Sequence, residues 1–221
     1  MSVHLHVRSC YTLLQSTMTI QKIVDSAKRY GYHAVALCDK EVMHGAMAFY
    51  HMAKKADIQP IFGMAVEVAE EEGIFGFILL AKNDDGYQAL MKLSTMLNTK
   101  ERKEQLTMEE LLTYTKDCVV LTNGDQNQME TYLIKEEMEH LAAFLQRCKE
   151  SFATFYVAIS RNDSPLLRQK NRLLKALCLS LIHIYKRYFF RTKHRKKRCN
   201  LIDLSIQSIS LQPLSYKEDV S

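Results

Sequence analysis

Residues 3–9, Val-His-Leu-His-Val-Arg-Ser, alternate apolar and polar side chains, which is the period of a short strand. On this reading His4, His6 and Arg8 share one face. The spacing turns helical over residues 20–30, where Ile20, Ile23, Val24, Ala27 and Tyr30 line one side, Thr19 can cap the start and Gly31 the end. Residues 34–38, Ala-Val-Ala-Leu-Cys, form the short apolar run of a strand buried on both faces, with Asp39 at its carboxyl end. A helix over 45–56, strands over 60–68 and 75–81 and a helix over 85–97 follow. Thr107 and Glu110 form a capping box that opens the next helix. A strand at 119–121, a helix over 136–150, a strand-like stretch at 154–160 and a helix from Ser164-Pro165 to about 177 complete the pattern. Six strands alternating with helices predict an α/β fold of parallel strands joined by right-handed crossovers, either a barrel or an open doubly wound sheet. That order would gather Arg8, Asp39 and a turn at 63–67 at the carboxyl ends of the strands, where such folds place their chemistry.

Composition changes the picture mainly at the carboxyl end. The chain has 221 residues, 47% of them hydrophobic, which is enough for one large core. No apolar run reaches the length of a membrane span and no signal-peptide pattern opens the chain, so the expected setting is cytoplasmic, with no membrane partner. Its six cysteines are scattered without a Cys-x-x-Cys pair, the pattern of reduced thiols. The net charge of +5 comes from one region: residues 1–163 sum to −5, whereas residues 164–202 hold 12 cations and no anion. All seven glycines lie at or before Gly124. Residues 186–198 mix Lys186, Arg187, Arg191, Lys193, Arg195, Lys196, Lys197 and Arg198 with aromatics, a composition that suits phosphates and stacked bases. The competing expectation, which we favour, is that residues 179–221 are foreign to the domain, either disordered or the product of a shifted reading frame.

Candidate chemistry begins with His4 and His6. Two imidazoles two apart on a strand suit a divalent transition metal if later strands add ligands, but the same pair could line a polar pocket. His44 and His51 lie seven apart on one expected helix, too wide for one ion, and read as surface or packing groups. Met47, Phe49, Tyr50 and Met52 read as helix packing. No glycine-rich phosphate loop occurs.

Four stretches carry a family likeness: His4 to Ser16, Gly31 to Lys40, Met43 to Ala56 and Ile58 to Met64, joined by Leu79-Leu-Ala-Lys-Asn-Asp-Asp-Gly-Tyr-Gln-Ala-Leu90. Together they resemble the polymerase-and-histidinol-phosphatase (PHP) domain that opens the bacterial DNA polymerase III alpha subunit, in the shorter type of low-GC Gram-positive bacteria. The likeness covers about residues 1–178. It implies a distorted, TIM-like (β/α) barrel, incomplete at its carboxyl end, of a class whose active members hydrolyse phosphoesters with clustered zinc or manganese.

Carried over by position, His6 matches the first metal-binding histidine and Asp39 the acidic residue of the second motif. Four positions depart. Arg8 stands where a second histidine belongs, Gln15 where aspartate is usual, Lys40 where histidine follows the aspartate, and Ala65 where a glutamate would bridge metals. Arg8 and Lys40 bring positive charge, and Gln15 and Ala65 remove anionic ligands, so a vestigial site without catalytic residues or a cofactor of its own is expected. An internal ion pair of Arg8 or Lys40 with Asp39 would then hold the barrel mouth. The resemblance implies a fragment of a nucleotidyltransferase with a structural and interaction role in DNA replication. The rest of the alpha subunit, the replisome and, through the parent, DNA would be its partners, with magnesium serving the parent's polymerase centre. The alternatives are a free-standing metal phosphoesterase or 3′–5′ exonuclease, and a nucleic-acid binder acting through residues 186–198.

Overall fold

A computed structural model describes residues 3–99, 105–123, 128–135, 137–158, 169, 171–177 and, for the backbone, 202–204. One sheet organises them, in the order β6-β5-β4-β3-β2-β1-β7. Its strands are β1 (Val3–Val7), β2 (Ala34–Lys40), β3 (Gln59–Glu70), β4 (Gly73–Ala81), β5 (Cys118–Thr122), β6 (Phe155–Tyr156) and β7 (Ile202–Leu204). The helices are α1 (Ile20–Arg29), α2 (Ala46–Lys55), α3 (Asp84–Asn98), α4 (Met108–Tyr114), α5 (Gln128–Lys135) and α6 (Met138–Ser151). Among the described residues the curled sheet does not close, and β6 and β7 lie at its edges.

The helix starts follow their caps. Thr19 accepts from the Lys22 N–H at the head of α1, and Thr107 and Glu110 form both halves of the capping box of α4. Gly31, with φ of +69°, makes the left-handed turn out of α1.

The strand directions differ from a uniformly parallel sheet. β1, β2 and β3 are parallel, but β4 runs antiparallel to both β3 and β5. The cause is the connection. Only Glu71 and Glu72 separate β3 from β4, and Gly73 supplies a φ of +138°, so the chain makes a hairpin and has no room for a crossover helix. The expected turn at 63–67 is therefore the middle of a long β3. Similarly, the helix expected over 136–150 is preceded by α5, and His44 precedes α2, so His44 and His51 do not share one helix. The capping pair Ser164-Pro165 lies outside the described residues, while 171–177 are helical.

Three apolar clusters fill the fold. Val3, Leu5, Ala34, Ala36, Cys38, Ile61, Ile78, Leu80, Val119 and Leu121 pack strand against strand in the concave interior. On the opposite face Val7, Val35 and Leu37 meet Ile23, Val24 and Ala27 of α1 and Ala46, Phe49 and Ala53 of α2. A third and larger cluster joins β3, β4 and β5 to α3–α6 around Phe75, Phe77, Leu90 and Phe144. Of the residues expected to pack on α2, Phe49 is fully buried, whereas Met47 is substantially exposed.

Strands β2, β3 and β4 approach closely at Gly63, where an added Cβ would lie 2.6 Å from both Cys38 Sγ and the Leu79 carbonyl oxygen. We expect Gly63→Ala to cost about 1–3 kcal/mol through this overpacking, measured as a lower urea midpoint at unchanged slope.

Candidate functional site

Strand parity decides which side chains meet at the carboxyl end of β2. Lys40 follows Ala36 and Cys38 onto the concave face and pairs in register with Ala65. Asp39 follows Val35 and Leu37 onto the opposite face, toward α1 and α2, and pairs in register with Met64. The two residues that the family likeness set side by side thus serve different surroundings.

Asp39 is 2% exposed, and its carboxylate is engaged by the loop that follows β1. Oδ1 accepts from the Ser9 N–H at 2.6 Å and the Thr12 hydroxyl at 2.7 Å, and Oδ2 accepts from the Ser9 hydroxyl at 2.7 Å. The Thr12 oxygen in turn accepts from the Lys40 N–H at 3.1 Å. Asp39 therefore ties the β1–α1 loop to the end of β2. The expected ion pair of Asp39 with Arg8 or Lys40 does not form, because neutral donors from Ser9 and Thr12 take its oxygens.

The two cations have other partners. Arg8 Nε donates to His6 Nε2 at 3.1 Å, and a terminal guanidinium nitrogen donates to Gln15 Oε1 at 3.0 Å. Lys40 Nζ lies 2.7 Å from Glu67 Oε1, with both side chains partly exposed. Glu67 is two residues beyond Ala65, hence on the same face of β3. The likeness marked position 65 for an acidic ligand and found alanine there; the carboxylate that is present arrives one strand period later.

His6 is buried, and its pKa is lowered from 6.5 to about 3, chiefly by burial and then by the Arg8 charge. It is neutral. Because Nε2 accepts from Arg8, the ring proton belongs on Nδ1. His4 does not join it. The β1–β2 register matches His4 with Val35 and Val7 with Leu37, so a bulge lies between them, and the ring of His4 packs edge-on against Tyr32 at 4.4 Å. The even alternation through residue 8 fails at that bulge.

Burial also pushes the Cys38 thiol well up, and Cys38 Sγ donates to the Leu5 carbonyl. Cys118 and Cys148 are pushed up to about 12 by burial, so these are inert thiols. Among the described residues no three His, Cys, Asp or Glu side chains stand together in a way that could hold a metal ion. Lys186, Arg187, Arg191, Lys193, Arg195, Lys196, Lys197 and Arg198 lie outside the described residues. Ser9 and Thr12 are participants that the sequence did not single out, and Glu67 entered only as the end of the stretch 63–67 expected to be a turn. Ser9 and Thr12 had one signal, being small hydroxyl residues in the loop directly after the first strand.

Residues 4–162 match the family model of the PHP domain. The chain belongs to the PHP domain family. Curated relatives with the same region are DNA polymerase III alpha subunits. That of Halalkalibacterium halodurans is 35% identical over 185 residues, covering 82% of this chain and 17% of the relative. That of Bacillus subtilis is 37% identical over 134 residues, covering 59% and 12%. That of Rickettsia bellii is 34% identical over 168 residues, covering 74% and 14%. The chain thus spans about a sixth or less of the length of these polymerases. Among solved structures, an amidohydrolase from Chromobacterium violaceum, crystallised with sulfate and without metal, superposes with a TM-score of 0.53 at 10% identity, over 80% of this chain and 82% of that one. A protein from Bifidobacterium adolescentis assigned to the metal-dependent phosphoesterases gives 0.50 at 11% identity, over 81% and 83%. At these identities the likeness concerns the fold, and it agrees with a distorted TIM-like PHP architecture. No helix among the described residues of this PHP domain is long and apolar enough to cross a membrane.

Proposed function

We propose that the chain is the amino-terminal PHP module of a replicative DNA polymerase III alpha subunit, with a degenerate metal site and a structural and interaction role. The observation that carries this reading is the hydrogen bond from Arg8 to His6 Nε2: the lone pair a divalent ion would need is already used by a fixed cation. The remaining donors do not suit a metal either. Asp39 faces away from the concave mouth and is filled by Ser9 and Thr12, and Lys40 places its ammonium where a ligand would stand. In the parent protein this module works in the cytoplasm, packed against the rest of the alpha subunit and supporting DNA synthesis within the replisome. The nucleotidyl transfer itself takes place at a magnesium centre elsewhere in the polypeptide.

Metal content and hydrolysis of the purified chain test the reading. After dialysis against zinc or manganese, plasma emission should find well under one equivalent bound. Release of nitrophenol from nitrophenyl phosphate, or of nucleotides from a single-stranded DNA end, should not exceed the buffer rate. The combined substitution Arg8→His, Gln15→Asp, Lys40→His and Ala65→Glu should raise metal occupancy above that of the parent. Stoichiometric metal and phosphoester cleavage by the unmodified chain would instead establish a free-standing phosphoesterase or 3′–5′ exonuclease.

A further inference from the structure

The end of the sheet opposite Arg8 and Lys40 holds a second concentration of charge. α1 ends in Lys28 and Arg29 with Tyr30 as its C-cap, and α2 ends in Lys54 and Lys55. Each helix leads directly into a strand, and those strands are neighbours, with Ala34 of β2 in register with Gln59 of β3. The Gln59 N–H also donates to the His33 carbonyl at 2.8 Å, and α1 packs on α2. The two basic helix ends therefore stand side by side.

Each end pairs a cation with an aromatic ring. The Arg29 guanidinium lies 4.9 Å from the centre of the Tyr30 ring and donates to the Tyr30 hydroxyl at 3.1 Å. Lys54 Nζ lies 5.8 Å from the centre of the Tyr50 ring. Tyr30 is 55% exposed and has Tyr32 beside it at 6.1 Å, while Lys28, Arg29, Lys54 and Lys55 are all exposed. Along the two helices and their exits, residues 20–33 and 46–58, the anions are Asp25, which accepts from Gln21, and Asp57 after the end of α2. Cations at helix ends alone would answer the helix dipole. An exposed tyrosine held by a guanidinium among them is what a stacked base and its flanking phosphates require.

We infer that this face of the PHP domain, built from Lys28, Arg29, Tyr30, Lys54 and Lys55, is a contact for single-stranded DNA. It needs no base-specific groups, since every base offers a face to Tyr30 and every nucleotide a phosphate to the lysines. The inference rests on the reading of the chain as part of a DNA polymerase, but it involves neither the concave mouth nor a metal.

The test is fluorescence anisotropy of a labelled sixteen-residue oligothymidylate with the full chain, titrated between 20 and 200 mM sodium chloride. Tyr30→Ala should weaken binding roughly five- to tenfold with little change in salt slope, and Tyr30→Phe should retain it. Lys54→Gln with Lys55→Gln should lower the logarithmic salt slope by about 0.7 per charge removed. The same losses should appear in a chain whose Lys186, Arg187, Arg191, Lys193, Arg195, Lys196, Lys197 and Arg198 are all changed to Gln, which removes the competing basic run. Binding that ignores Tyr30, Lys54 and Lys55 and vanishes with that run would overturn the inference. So would equal displacement of the oligonucleotide by polyglutamate or by phosphatidylglycerol vesicles, which would mark a general anion surface. Hydrolysis of the oligonucleotide would count against the proposed function and leave the contact standing.

Discussion

Asp39→Ala is expected to destabilise the domain by about 3–5 kcal/mol, read as a large drop in urea midpoint at constant slope. The carboxylate is buried and receives three short hydrogen bonds, so its removal strands the Ser9 N–H and two hydroxyls in a buried site. A buried donor left unpaired costs about 1–3 kcal/mol, and hydrogen bonds to a charged acceptor lie at the upper end. Asp39→Asn keeps the shape but replaces one acceptor oxygen by a donor, so an intermediate loss of roughly 2–3 kcal/mol is expected. The same bonds hold the β1–α1 loop, whose tip carries Leu13 and Leu14 almost fully exposed, with Leu14 at φ of +61°. Loss of the Asp39 bonds should therefore also speed hydrogen exchange at Thr12, Gln15 and Ser16 before the sheet opens. An Asp39→Ala protein within 1 kcal/mol of the parent would show that Asp39 does not anchor the loop.

That anchoring role was only half legible in the sequence. The apolar run 34–38 located β2, and the position of Asp39 at its carboxyl end followed. The face it occupies also follows from parity with Val35 and Leu37, yet the family likeness drew attention to its acidity and away from its direction. Two other features were hidden for physical reasons. The bulge in β1 leaves no mark in an alternating pattern, because inserting one residue into Val-His-Leu-His-Val still reads as strand. The β3–β4 hairpin was concealed by three consecutive glutamates, which read as a polar loop of any geometry until Gly73 is seen to take a φ that other residues avoid. By contrast, α1 and α4 were legible in their caps because a capping residue acts within one turn of itself. The partners of Arg8 and Lys40 depend on Gln15 and Glu67, contacts across a loop and between strands that no local pattern encodes.

Stability should fall as the solution is acidified from pH 7 to 5, with His6 contributing about 2 kcal/mol of that loss. The unfolded chain takes up a proton at this imidazole near its ordinary value of 6.5, whereas the folded chain does so only near 3. Below 6.5 the unfolded state therefore holds more protons, and each pH unit costs the folded state about 1.4 kcal/mol until the folded value is reached. The contribution of a neutral His6 is complete above about 6.5 and is lost as pH falls toward 3. Carboxylates also titrate at the lower end of that range, so the informative quantity is the difference between the parent and His6→Gln, whose amide oxygen can still accept from Arg8 without binding a proton. That variant should show a flatter stability profile between pH 7 and 5 by about 2 kcal/mol, measured by urea unfolding at each pH. Arg8→Met should flatten the profile only in part, because burial outweighs the Arg8 charge in lowering the His6 value. Profiles for parent and His6→Gln that superimpose over this range would mean that His6 meets its proton in the folded state as readily as in the unfolded one. The neutral imidazole facing Arg8 would then have to be abandoned.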